Sequence, residues 1–330
     1  MSNMKNVLPK GCYVVLHIGA GPGVGNTSQL IVTDANKRFE LSSDTWVERL
    51  DEQLAKRIQQ ACEPPHFNIG KLAHDRHLYA FVKTVPDVES RRYEGLNELL
   101  AVTTLSRFIH PTTVGTRYCA RVFHYGLPDS AIQAIQFGGL SPDVYISSGI
   151  NDWLSVDHGE QLRSLMPYVF TKQMHRRIHR AYWNHDYAQH TFFLDMRWPL
   201  VVSGLEALIN TDKVNVTRQF VERVFQLAKL ERINLIKKEV RVAYDLRSKL
   251  VHTESFLGGL EKVLPQSKHR ALYEKLEAVL RLTVQRCLLD EDFANHFRDA
   301  TAVRAKWPIK LSVWQKIVAF LFAKIPGLRA

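Results

Sequence analysis

The sequence predicts an α+β N-terminal domain over residues 1–150, followed by an all-α helical bundle over residues 151–330. Three observations predict this. Up to about residue 150, short runs of strand-forming residues alternate with helical periods. After about residue 152 the strand signals stop and long helical periods take over. The length of 330 residues suits two domains, and an apolar content of 45% is enough to bury a full core.

In chain order, residues 12–18 and 29–32 read as strands around a glycine-rich turn. That turn, Gly19-Ala-Gly-Pro-Gly-Val-Gly25, has no following Lys for a phosphate loop and no G-x-G-x-x-G register, so it is read as a link between strands. Residues 45–61 predict one helix, because Trp46, Leu50, Leu54 and Ile58 recur every four positions, with Ser43 or Asp44 as N-cap. Residues 77–85 and 117–125 read as strands on either side of a helix over 94–109. Residues 132–137 and 144–147 are further short strands, with Gly138, Gly139, Ser141 and Pro142 marking turns. The C-terminal half predicts helices over 158–172, 173–188, 191–210, 217–231, 235–253, 268–289 and 312–324. Asn215 or Thr217 is the N-cap expected for the fourth, and Gly258, Gly259 and Pro265 break the chain before the sixth.

The net charge of +11 is uneven. Residues 1–165 carry 16 basic against 17 acidic side chains, and residues 166–330 carry 28 against 16. A basic half implies an anionic partner, nucleic acid or membrane surface, unless the charge serves solubility alone. Cys12, Cys62, Cys119 and Cys287 are far apart and form no C-x-x-C. Nothing in this spacing suggests a disulfide framework or zinc knuckle, and a reduced, cytoplasmic setting is expected; no cofactor is expected, and the RNA chemistry read below requires no metal. Residues 1–10 have no apolar run behind their lysines, so no signal peptide is expected. Residues 311–323 are about half the ~20 apolar residues of a membrane span and are interrupted by Lys316. This short apolar helix is expected to pack on the bundle or a dimer mate, or to dock at a membrane surface.

The chemistry concentrates in Glu239-Val-Arg-Val-Ala-Tyr-Asp-Leu-Arg-Ser-Lys-Leu-Val-His252. On a helix, Val240, Ala243, Tyr244, Arg247 and Val251 share one stripe, so Arg247 stands where a core residue is expected. A guanidinium there needs either an internal carboxylate, such as Glu206 or Asp245, or an anion in a cleft. His252 lies on the flank of the same stripe, more than one turn further on. An imidazole and a fixed guanidinium beside one cleft suit RNA cleavage. The imidazole takes the proton of the 2′-hydroxyl and the guanidinium holds the phosphate.

The segment Ala243-Tyr-Asp-Leu-Arg-Ser-Lys-Leu-Val-His-Thr253 resembles the Arg-x4-His signature of the Apea-like branch of the HEPN superfamily. The stretch Phe193-Leu-Asp-Met-Arg-Trp-Pro-Leu-Val-Val-Ser-Gly-Leu-Glu-Ala-Leu-Ile209 resembles that family's first long helix. The resemblance covers about residues 170–295. It implies a helical bundle that forms a homodimer, with two such motifs meeting in a shared cleft. It also implies a metal-independent endoribonuclease in stress or anti-phage defence. Arg247 and His252 carry over as catalytic residues, and Glu206 is expected to orient Arg247. Ser248 stands where active members often carry a larger polar residue. Members that only bind RNA or partners are the alternative.

Around the motif, Arg218, Arg223, Lys229, Arg232, Lys237, Lys238, Arg241 and Lys249 form an expected rim that draws RNA in, or else a solvated face. His175, His179, His185 and His190 lie among Lys172, Arg176, Arg177, Arg180, Tyr182 and Trp183. Basic residues interleaved with aromatics suit RNA contact, with a solvated face or a zinc pair of His175 and His179 as alternatives.

Overall fold

A computed structural model of the chain describes residues 12–18, 31–32, 38–62, 78–85, 95–110, 115–123, 130–135, 154–170, 172–191, 194–212, 215–251 and 266–309. The expected features at 19–25, 144–147 and 312–324, and His252 itself, lie outside these residues. A small antiparallel sheet near the N-terminus is followed by helices.

The sheet comprises β1 (Cys12–Ile18), β2 (Arg38–Glu40), β3 (Thr45–Arg49), β4 (Leu78–Thr84), β5 (Gly115–Phe123) and β6 (Ala131–Ala134), in the order β2-β3-β4-β1-β5-β6. β1 is central, with Val14 opposite Val82 and Ala120. The period-two pleat sorts side chains onto two buried faces. Trp46, Ala80, Val82, Ala120 and Val122 pack under α1 (Glu52–Cys62), which contributes Ala55, Ile58 and Cys62. Val47, Phe81 and Cys119 face the other way. There they join Leu99, Val102, Leu105 and Phe108 of α2 (Leu96–Ile109).

The expected single helix over 45–61 is corrected here: Thr45–Arg49 is β3, and the helix begins at Glu52. Adjacent Trp46 and Val47 are buried on opposite sides, an arrangement that suits a strand between two layers and not a half-exposed helix. The four-residue spacing misleads because Trp46, Leu50, Leu54 and Ile58 all reach one cluster from a strand that runs into a helix. The strand expected at 29–32 is also corrected, since Ile31 and Val32 form a bend tied by the Ile31 amide to the Leu154 carbonyl at 2.8 Å.

The helical part holds α3 (Val156–Phe170), α4 (Arg176–Gln189), α5 (Leu194–Ile209), α6 (Val216–Leu230), α7 (Lys237–Val251) and α8 (Gln266–Leu289). The short α9 (Glu291–Asn295) and α10 (Ala300–Lys306) follow, each capped by an aspartate side chain, Asp290 and Asp299. The first six match the expected helical periods within a few residues. Asn215 occupies the N-cap of α6, but in a left-handed conformation with no side-chain cap bond, and Thr217 lies inside the helix. Among the described residues, no helix is long and apolar enough to cross a membrane.

α5 is the centre of the bundle, packed against α4, α6, α7 and α8. Its buried Trp198 donates its indole N–H to the Ala243 carbonyl of α7 at 3.1 Å. Gly204 permits close approach: a Cβ there would come within 2.7 Å of Leu280 and 3.3 Å of Asn184. The Trp198 bond ties α7 to α5, and the close approach at Gly204 seats α5 against α8 and α4.

Candidate functional site

On α7, Val240, Ala243 and Leu246 are buried, while Tyr244 and Arg247 are half-buried at the boundary with α5 and α6. The Arg247 Nη2 meets Glu206 Oε2 of α5 at 3.0 Å. The Arg247 side chain keeps 32% of its surface exposed and Glu206 15%. The guanidinium is therefore paired with a carboxylate without being sealed from solvent. Among the described residues its buried Nε has no hydrogen-bond partner, so the pairing with Glu206 leaves donor capacity unused there.

Glu206 is itself held in place. Asn210 Nδ2 donates to its Oε1 at 3.2 Å, and the Tyr244 hydroxyl hydrogen-bonds to it. Burial first, and then the negative charge of Glu206, push the Tyr244 phenol up to about 12. Tyr244 thus stays protonated near neutral pH and serves as a donor. Its ring packs on Phe220 of α6 with centroids 4.8 Å apart. Asn210 escaped sequence reading because it belongs to no motif and follows the helix that carries Glu206, and Tyr244 was legible only as part of a stripe.

α7 as described ends at Val251, immediately before His252. Ser248 is exposed on the same helix, and the side chain of Lys249 lies outside the described set. Lys238 and Arg241 are exposed; Arg241 reaches Asp245 only at 3.9 Å. Lys237 is engaged by both carboxylate oxygens of Glu222 at 2.7 and 2.6 Å. Arg223, expected on the rim, is buried. It donates to the carbonyls of Trp307 at 3.1 Å and Ile209 at 2.6 Å, so it ties α6 to its neighbours.

The α4 cluster divides in two. Arg176 and Arg180 are exposed. Arg177 is half-buried, and its Nη1 donates to the carbonyls of Ala207, Leu208 and Asn210 at 3.1, 3.3 and 2.8 Å. These are orphan acceptors at the C-terminus of α5, where a cation also meets the negative end of the helix. His175 faces Asn295 Oδ1 at 3.3 Å, while His179 accepts the Trp183 indole N–H at 2.7 Å. Among the described residues, no three His, Cys, Asp or Glu side chains group to hold a metal.

His185 belongs to a buried charge network rather than to a site. Its Nε2 lies 2.8 Å from Glu277 Oε1, and Arg281 Nε approaches the same oxygen at 3.3 Å. Burial opposes ionisation of Glu277, but Arg281 and His185 outweigh it and hold the carboxyl below its ordinary range.

Comparison with known protein families, with curated proteins and with solved structures gave no match.

Proposed function

We propose that this chain is an HEPN-type endoribonuclease that cleaves RNA without a metal, acting as a homodimer. The observation that supports this reading best is Arg247, a half-exposed guanidinium oriented by Glu206 through one nitrogen, with a buried Nε left over. Such a group receives a phosphate at little cost, because its orientation is already fixed and its charge is permanent. His252, one residue beyond the described end of α7, is the proposed base. It takes the 2′-hydroxyl proton as the 2′ oxygen attacks phosphorus. The bond to the 5′ oxygen breaks, and that oxygen takes a proton from an imidazolium or from water. The products are a 2′,3′-cyclic phosphate and a 5′-hydroxyl. Tyr244 does not compete for the base role, because its phenol is pushed up to about 12. Exposed Lys238 and Arg241 then lie on the face that RNA approaches. A role in stress or anti-phage defence follows only from the sequence resemblance.

The test is incubation of the full chain with labelled single-stranded RNA in EDTA. Cleavage with cyclic-phosphate ends is expected, with His252→Ala and Arg247→Ala each reducing the rate by about 100-fold or more. Arg247→Lys is expected to recover little, because an ammonium lacks the planar fork. RNA retention without cleavage, unchanged in these variants, would instead establish a non-catalytic RNA-binding or adaptor protein. Activity abolished by EDTA would overturn the metal-independent mechanism.

A further inference from the structure

A groove of about 1020 Å³ opens between α2, the end of α3 and α4, outside the Arg247 site. Its α4 wall is one stripe of the helix, Arg176, His179, Trp183, Asp186 and His190, spaced by three or four residues. The groove has two chemically distinct ends. One end holds Lys172 and Arg176, both exposed. Lys172 makes a solvent-exposed contact to Glu291 at 3.3 Å and lies 4.9 Å above the Tyr168 ring. The middle of the stripe, about two turns along α4 from Arg176, carries Trp183, 42% exposed although it is a tryptophan. Its indole N–H is already used by His179, and its ring meets the edge of Tyr182 at 5.8 Å. Tyr187 also lies tilted against it at 5.9 Å, so the indole is held in position and what it exposes is ring surface rather than its N–H. By accepting at Nε2, His179 is fixed as the tautomer that carries its proton on Nδ1, a donor.

The acidic group in the groove is already engaged. Asp186 takes the Thr104 hydroxyl at 2.9 Å and lies 3.7 Å from both Arg107 and His190. At the opposite end Glu291 partly offsets Lys172, and Arg176 is the exposed cation beside it. A volume of this size accommodates a small organic ligand.

We propose that this groove binds a nucleoside phosphate, with the base stacked on Trp183 and the phosphate held by Arg176 and Lys172. An aromatic face beside a cationic end, within one concavity, matches a planar base joined to a phosphate. Neither inorganic phosphate nor an uncharged aromatic uses both the ring and the cations. The ligand is either a free nucleotide or one residue of an RNA strand. The proposal does not depend on cleavage at Arg247.

The test is calorimetric titration of the full-length His252→Ala chain, so that binding is read without turnover. The probes are adenosine 5′-monophosphate, adenosine, inorganic phosphate and a single-stranded oligoadenylate of eight residues. Adenosine monophosphate is expected to bind at least about tenfold more tightly than adenosine or phosphate alone. Trp183→Ala and Arg176→Ala, both at exposed positions, are each expected to weaken it by about tenfold. Tighter, equally Trp183-dependent binding of the oligomer assigns the groove to a strand, and binding of the monophosphate alone assigns it to a free nucleotide. Absence of binding by both, or binding unchanged in both variants, overturns the proposal. Either result leaves the cleavage assay with wild-type protein to be decided separately.

Discussion

Two arginines that look alike in the sequence behave differently at the scale of single residues. Arg247 keeps a third of its side chain exposed beside Glu206, whereas Arg223 spends its donors on backbone carbonyls inside the bundle. The difference is which carbonyls and carboxylates the fold brings within reach. Glu277 is the buried counterpart, held ionised by Arg281 and His185. Its folded pKa is lower than its ordinary 4.5. Its stabilising contribution is therefore fully present above that ordinary value and is lost as pH falls through the lower folded one. Glu277→Gln leaves Arg281 with an uncompensated buried charge, so a loss of about 3 kcal/mol is expected in urea unfolding at pH 7. Repeating the measurement at lower pH should narrow the gap between wild type and variant. A gap that stays constant down to pH about 3 would show that the carboxylate contributes nothing through its charge.

Among the secondary-structure elements, α4 shows how one helix serves two purposes. Its Arg177 side caps the C-terminus of α5, and its Arg176, His179 and Trp183 side lines a groove. The basic and aromatic content of this stretch was legible from composition, but which cation faced which side was not. Arg177 and Arg176 are neighbours in sequence and diverge by about 100° around the helix. Arg177→Ala is expected to lower stability by about 1–2 kcal/mol, since three carbonyls lose one donor. RNA affinity should be unchanged in the same variant. A fall in affinity with stability intact would return Arg177 to the binding surface. The misread 45–61 stretch makes a related point. An interval of four residues reports a shared layer, and a strand followed by a helix meets that condition as well as one helix does.

Across the whole molecule, one buried cluster runs from Ile31, Phe39 and Phe81 through α2 and α3 to Phe297 and Trp307. α2 is buried nearly all round because it lies between the sheet and the helices. Gly159 of α3 sits so close to the sheet side that a Cβ would come within 2.6 Å of Ile31 and 2.8 Å of Phe39. The described sheet and helices thus share apolar surface that neither keeps covered alone, and a single cooperative unfolding transition is expected. Circular dichroism and tryptophan fluorescence should report the same midpoint in urea; two separated midpoints would show independent units. The sequence by itself determined where six of the bundle helices lie, that the strands precede them, that positive charge gathers in the second half, and that Arg247 occupies a position where a core residue is expected. Those features follow from local period and composition, which are properties of neighbouring residues. Glu206 was already expected beside Arg247; only the tertiary structure decided that Arg177 and Arg223 bond backbone carbonyls, and that Thr104, Arg107 and Asp186 converge beside Trp183. Those pairings join residues tens of positions apart, and the packing of separate helices brings them together, which no local pattern encodes.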